Sequence, residues 1–210
     1  LGREFSYELI RAVSPVDDAT LAQHLEQLVN SEFLYQRGLP PEASYIFKHA
    51  LIQDAAYNSL LISRRQQYHQ QVAQVLEDRF PEMVEIHPEL LAHHYTEAGL
   101  NERAVSYWQR AGERAVQRSA HLEAISHLTQ GLELLETLPQ TPEGAQQELA
   151  SQILLGNSLI ATIGYAAPEV ERAFTRAWQL SRWVGDTPEL FRVLRGLCVF
   201  YLVRGEVQTA

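Results

Sequence analysis

Cysteine occurs once in this chain, at position 198, lysine once, at 48, and methionine once, at 83. A single cysteine forms no internal disulfide. Cys198 lies inside the apolar run Leu197–Val203, which reads as a buried structural thiol in a reducing compartment, the cytoplasm. That run is also the longest purely apolar one, far short of the roughly 20 residues a helix needs to cross a bilayer. No membrane partner is therefore expected. The start of the chain has no basic region leading into an apolar one, so no secretory signal is visible. Four local motifs are absent: G-x-x-x-x-G-K-[ST], G-x-G-x-x-G, H-E-x-x-H and G-x-S-x-G. Their absence removes a phosphate loop, a dinucleotide fingerprint, a zinc-hydrolase helix and a nucleophile elbow. A self-contained hydrolase ranks last among the readings, because no local spacing suggests a nucleophile–base pair.

What is present suits a globular protein with a sizeable core. The 210 residues are 46% hydrophobic and 20% charged, enough for one large domain or two small ones. There are 26 acidic residues against 17 basic, giving a net charge of −9. Such a balance repels a phosphate backbone.

Residues 1–50 differ in pattern from the rest. Phe5, Leu9, Ile10 and Val13 fit one face of a short helix that stops at Ser14-Pro15. Asp17 and Asp18 offer capping chemistry for a second helix carrying Leu21, Leu25, Leu28 and Val29. Phe33-Leu34-Tyr35 and Tyr45-Ile46-Phe47 read as two strands, with Gly38, Pro40 and Pro41 between them. Helix, helix, hairpin is the order of a winged helix, here truncated because such domains normally carry a further helix in front.

From residue 51 onward the pattern is helical. Expected helices are Leu51–Leu61, Arg64–Phe80 (with Tyr68, Val72, Val75 and Leu76 on one face and Pro81 ending it), Pro88–Ala98, Glu102–Arg118, His121–Thr137, Glu143–Thr162, Pro168–Val184 and Pro188–Val203. A small–bulky–small pattern recurs as Ala104/Trp108/Ala111 and Ala124/Leu128/Gly131, with Val170/Phe174/Ala177 as a looser copy. A partner pattern recurs as Leu91-Ala92…Tyr95, Ala111-Gly112…Ala115, Leu155-Gly156…Leu159 and Gly196…Val199. Small residues let helices approach and bulky ones plug the gap, so Tyr95, Trp108, Gly112, Ala124, Gly156, Phe174 and Ala177 are the candidate repeat-packing residues. Helix pairs that cannot bury their faces alone stack into a solenoid. The expected fold is mainly α: a truncated winged helix over 1–50, connecting helices over 51–86, and a tetratricopeptide-like α-α superhelix over 87–210.

Several of these stretches resemble a known family. Gly2-Arg3-Glu4-Phe5, the run Tyr45-Ile-Phe-Lys-His-Ala-Leu-Ile-Gln-Asp-Ala-Ala-Tyr57, Arg65 and Tyr68-His69 look like the winged-helix and tetratricopeptide region of large bacterial signal-transduction (STAND-like) ATPases. His94-Tyr95-Thr-Glu-Ala-Gly99, Ala104-Val-Ser-Tyr-Trp108 and Gly164-Tyr-Ala-Ala-Pro-Glu-Val170 look like its repeats. Chains of that family often carry a class III adenylate/guanylate cyclase domain ahead of the ATPase; others carry a DNA-binding domain or a protein kinase. The resemblance implies that this chain, which begins with leucine, is a fragment. The ATP and magnesium site would lie in a domain before Leu1, no cofactor would bind here, and the array would continue past Ala210.

Read with that resemblance, three residues are candidates for relaying nucleotide state: His49 at the strand–helix junction, Arg65 as a sensor arginine, and His69. The plainer readings are a histidine that locks the junction and an arginine that is a surface charge or pairs with Asp54. The eight histidines are poorly spaced for a helical metal site. His93 and His94 point about 100° apart, and His121 and His127 fall on different faces. DNA binding through the winged helix is the alternative function. It is disfavoured because residues 12–36 hold no Lys or Arg, leaving Arg37 and Lys48 on the hairpin. Arg103, Arg110, Arg114, Arg118, Arg172, Arg176 and Arg182 dot the polar faces of the repeats, where solenoids grip peptides or helices. The expected function is a non-catalytic sensor and relay arm. Its expected partners are a protein or the upstream ATPase domain, with a small inducer on the array.

Overall fold

The first helices begin where capping side chains stand. In the computed structural model, which describes residues 2–185 and 189–205, the Ser6 hydroxyl accepts from the Leu9 amide and opens α1 (Tyr7–Val13). Asp17 accepts from the amides of Thr20 and Ala19 and opens α2 (Asp18–Asn30). The bond from Thr20 is the main reason the Asp17 carboxyl lies below its ordinary range. Around these helices sits a three-stranded antiparallel sheet of β1 (Glu4–Ser6), β2 (Leu34–Arg37) and β3 (Ser44–Phe47), in the order β1-β3-β2. Phe5 lies opposite Tyr45, and Leu34 opposite Phe47. Phe5, Tyr7, Leu21, Leu25, Leu34, Ala43 and Tyr45 form one buried core.

Three expectations for this region are corrected. Phe5 is not on the first helix; it is in β1, a strand of three residues that is too short to show a period of its own. Leu28 is exposed, so α2 buries a narrower stripe of Leu21 and Leu25. The helix expected at Arg64–Phe80 is α4 (Ile62–Arg79), and its buried stripe is His69, Val72, Ala73 and Leu76, with Tyr68 exposed. Hydropathy favours a tyrosine over a histidine at a core position. Here a hydrogen bond satisfies the imidazole and reverses that choice.

Pro81 does not merely end α4. It opens a short helix, α5 (Pro81–Ile86), since a missing N–H costs nothing in a first turn. Between β3 and α4 lies α3 (Ala50–Asn58), none of whose residues is buried.

Further along come α6 (Pro88–Glu97), α7 (Asn101–Gln117), α8 (His121–Glu136), α9 (Pro142–Ile163), α10 (Pro168–Val184) and α11 (Glu189–Arg204). Pro188, expected to start the last of these, lies outside the described residues. Each helix packs on the next, and α7 also touches α9 as α9 touches α11. Short links with such contacts make neighbours antiparallel and the series a stack. Gly164 and Gly185 end α9 and α10 at φ of 87° and 100°, backbone that a side chain rarely adopts.

The described chain is mainly helical, 75% helix, with this one small sheet. It divides into two compact units, Leu1–Pro81 and Glu82–Ala210. Among the described residues no helix is long and apolar enough to cross a membrane.

Candidate functional site

In the first unit, the three residues singled out for a relay are not gathered in one place. His49 is exposed and serves as the backbone cap of α3, and its side chain makes no capping bond. Arg65 and His69 do meet, through Tyr57. The Tyr57 hydroxyl and His69 Nε2 share a hydrogen bond of 3.1 Å, with the rings edge to face. The Arg65 guanidinium lies 4.7 Å from the centre of the Tyr57 ring. It donates to the carbonyls of Leu60 (3.0 Å) and Asn58 (3.2 Å) at the end of α3. These are the carbonyls a helix end leaves without partners. Arg65 thus ties α3 to α4 through backbone oxygens and makes no pair with Asp54. Tyr57, the residue that joins the other two, was missed in the sequence, where it reads as the last letter of a motif. Leu51, Leu61 and Ile62 around this elbow are 80%, 74% and 72% exposed.

In the second unit, the packing residues form plugs and notches. A methyl group added at Gly112 would stand 2.6 Å from the Leu128 side chain, and one added at Gly131 would stand 3.1 Å from Trp108 Cβ. α7 and α8 thus exchange a bulky residue for a glycine in both directions. Phe174 of α10 is flanked twice. A methyl group added at Gly156 of α9 would stand 2.7 Å from one edge of its ring, and one added at Gly196 of α11 would stand 2.6 Å from the other. Ala124 and Ala177 are fully buried beside these contacts. Tyr95, also fully buried, stacks on Tyr107 at 5.7 Å and lies under Arg103 at 4.5 Å. Trp108 donates to the Thr96 hydroxyl at 3.0 Å and stacks on His127 at 5.4 Å.

The arginines of this unit divide by partner. Arg110 pairs with Glu85, Arg118 with Glu123 and Arg172 with Glu169. Arg182 lies over Trp178, and the Nε of Arg114 is buried without a hydrogen bond. Arg176 makes a two-pronged contact with Glu148. Its Nε and an amino nitrogen donate to the two oxygens of Glu148, at 2.6 and 2.9 Å. Glu148 is the main reason its guanidinium titrates above the ordinary value.

No metal site emerges among the described residues. No three His, Cys, Asp or Glu side chains are grouped to hold an ion. His121 and His127 each keep a buried Nδ1 without a hydrogen bond. Cys198, expected to be buried, is only partly buried.

No protein-family model matches the chain, and no solved structure matches it. Over 182 residues, 86% of this chain, it is 29% identical to an uncharacterized protein of Rhizobium meliloti (strain 1021). The chain spans 18% of that relative's length. Since 182 residues make up 18%, the relative is about 1,000 residues long, room for several domains of ordinary size.

Proposed function

We propose that this chain is a non-catalytic interaction and regulatory module, the sensor and relay arm of a larger signalling ATPase. In this reading the sheet with α1 and α2 is a truncated winged helix, and α6–α11 are a tetratricopeptide-like array. The observation that carries it is the repeated fit of a bulky residue into a glycine notch, at Leu128/Gly112, Trp108/Gly131 and Phe174 between Gly156 and Gly196. Such fits let helices stack at close range and leave their outer faces for a partner. A relative more than five times the length of the matched stretch supports a multidomain setting. ATP and Mg²⁺ would bind in a separate domain, and an adenylate/guanylate cyclase domain is the proposed output. The setting is cytoplasmic, and the array receives a protein or a small inducer.

The test is the complete reading frame together with the purified chain. A P-loop motif upstream in the same frame, and no ATP turnover by this chain alone, are the expected results. A frame without a P-loop would overturn the ATPase setting and leave a free-standing repeat adaptor. ATP turnover by the chain itself would overturn the non-catalytic reading.

A further inference from the structure

One side of α11 is fully used. Val193 is buried with Ala145, Leu149 and Leu180, and Phe200 with Val170 and Phe174, while Gly196 leaves room for the Phe174 ring. This inner row, at i, i+3 and i+7, seats the helix on α9 and α10. The other side carries a second apolar row. Phe191, Leu194 and Leu202 are 74%, 47% and 50% exposed, with the partly buried Cys198 among them. Their spacing of i, i+3, i+7 and i+11 places all four on one face. Among the described residues, every exposed position of α11 is either apolar or arginine: Phe191, Leu194, Leu202 and Val203 with Arg192, Arg195 and Arg204. On α7, by contrast, the exposed positions are Glu102, Arg103, Arg110 and Gln117, all polar.

The charges on this face are as uncovered as its apolar row. Residues 190–205 hold three arginines and no Asp or Glu. Arg204 lies over the Phe200 ring. Among the described residues Arg192 and Arg195 have no ion-pair, hydrogen-bond or ring partner, whereas Arg110, Arg118, Arg172 and Arg176 each meet a glutamate. Glu171 of α10 does reach α11, accepting from the Tyr201 hydroxyl at 3.0 Å, but on the opposite flank of the row. Arg192 and Arg195 stand three apart and are neighbours on one flank, so two like charges lie side by side with no carboxylate to offset them. An apolar row edged by such guanidiniums is complementary to an apolar row edged by carboxylates, which a guanidinium holds in two-pronged bonds. The shape of the complement follows from the stack. Each helix from α6 to α11 packs on the next, and the outer row of α11 has helical spacing like the inner one, so a further helix fits it. A second copy of this face would bring three more arginines and no carboxylate.

We propose that the outer face of α11 docks an amphipathic partner helix whose apolar row is edged by Glu or Asp, with Arg192 and Arg195 selecting it. The proposal rests on reading the chain as a protein-interaction module and names the chemistry of its partner.

The experiment is a titration of the ¹⁵N-labelled intact chain, read at the backbone amides of residues 190–204. The probe is a peptide of two Ala-Leu-Glu-Ala-Leu-Glu-Ala repeats, blocked at both ends. One control carries Lys for each Glu, and another Ser for each Leu. The Glu peptide is expected to give saturable shifts with a dissociation constant of about 100 μM, and the Lys peptide to bind about tenfold more weakly. The Ser peptide should give no saturable shift. Arg192→Gln with Arg195→Gln, both at exposed positions, should bring the Glu and Lys peptides to about equal affinity. Phe191→Ala should weaken the Glu peptide several-fold while the rest of the spectrum stays unchanged. Sedimentation of the chain alone is expected to show a monomer.

An absence of saturable shifts with the Glu peptide overturns the proposal. So do equal affinities of the wild type for the Glu and Lys peptides, or a preference that survives the double arginine variant. A dimer that Phe191→Asp dissociates would give the face to a second copy instead. Co-sedimentation with phosphatidylglycerol vesicles, lost in the same variant, would give it to an anionic membrane. A frame without a P-loop leaves this titration unaffected, and failure of the peptides leaves the ATPase-arm reading standing.

Discussion

Phe174 is the side chain at which α9, α10 and α11 meet most tightly. It is 1% exposed, with a glycine at each edge of its ring. Moving the ring away from one glycine drives it toward the other, so the site relaxes poorly. Phe174→Ala should lower stability by about 3–5 kcal/mol, the usual range for emptying a core aromatic site. Gly156→Ala should cost about 1–3 kcal/mol by overpacking, and adding Phe174→Leu should recover part of that loss. Chemical denaturation of the two singles and the double gives the coupling; additive losses would show that ring and notch do not oppose each other. His127 supplies a second residue-scale test. Burial beside Trp108 holds its pKa below the ordinary 6.5, with Arg118 adding to the depression and Glu89 and Glu123 opposing it. The unfolded chain then takes up the proton more readily, so the stability from this group is full above pH 6.5 and is lost as pH falls toward the folded value. Thermal midpoints of the wild type and His127→Gln, followed from about pH 7.5 to 5.5, should converge as pH falls. A difference that stays constant would show that His127 does not titrate in this way.

At the scale of elements, α3 is the one whose attachment is thinnest. None of its residues is buried, and its far end is held by Arg65 bonds to the Leu60 and Asn58 carbonyls and by the Tyr57–His69 contact. Elements with so few buried contacts open at low free energy. Arg65→Ala should therefore speed amide hydrogen exchange in α3 about tenfold, equivalent to about 1.4 kcal/mol, while the core strands keep their protection. Lysine at this position should restore little, since one ammonium does not reproduce the planar fork that reaches two carbonyls and covers the Tyr57 ring. Unchanged exchange would show that α3 is held by other contacts. The same stretch marks how far sequence reading went. The long helices and the β2–β3 hairpin were legible, because period, prolines and Asp17 marked their limits. β1 was not, since three residues carry no period and its pairing with β3 spans some forty residues. The histidine in the α4 stripe was misread because hydropathy ranks Tyr68 above it, and only the fold reveals the Tyr57 hydroxyl that makes His69 a core residue. The Glu148–Arg176 clamp joins α9 and α10 across 28 residues of sequence, a separation that no local motif encodes.

For the whole molecule the deciding quantity is charge. A surplus of nine negative charges opposes approach to a nucleic-acid backbone at long range. Two of the nearby cations do not escape that balance, since Arg11 is paired with Asp18 at 2.6 Å and Lys48 with Glu32 at 2.8 Å. Such exposed pairs add little to stability, yet each cancels the local field that a phosphate would seek. The exposed positions of α2 carry Asp18, Gln23, Glu26 and Gln27, and its amide side chains have no flanking cation to hold them in a groove. Fluorescence anisotropy with a mixed-sequence duplex at about 20 mM salt, where phosphate contacts count most, should therefore show no binding. If binding does occur and Arg37→Ala with Lys48→Ala removes it, the hairpin is a DNA contact and the regulatory reading moves from the helical stack to the sheet. If the double variant leaves the binding intact, the contact lies outside the hairpin and the sheet keeps its place as a packing element.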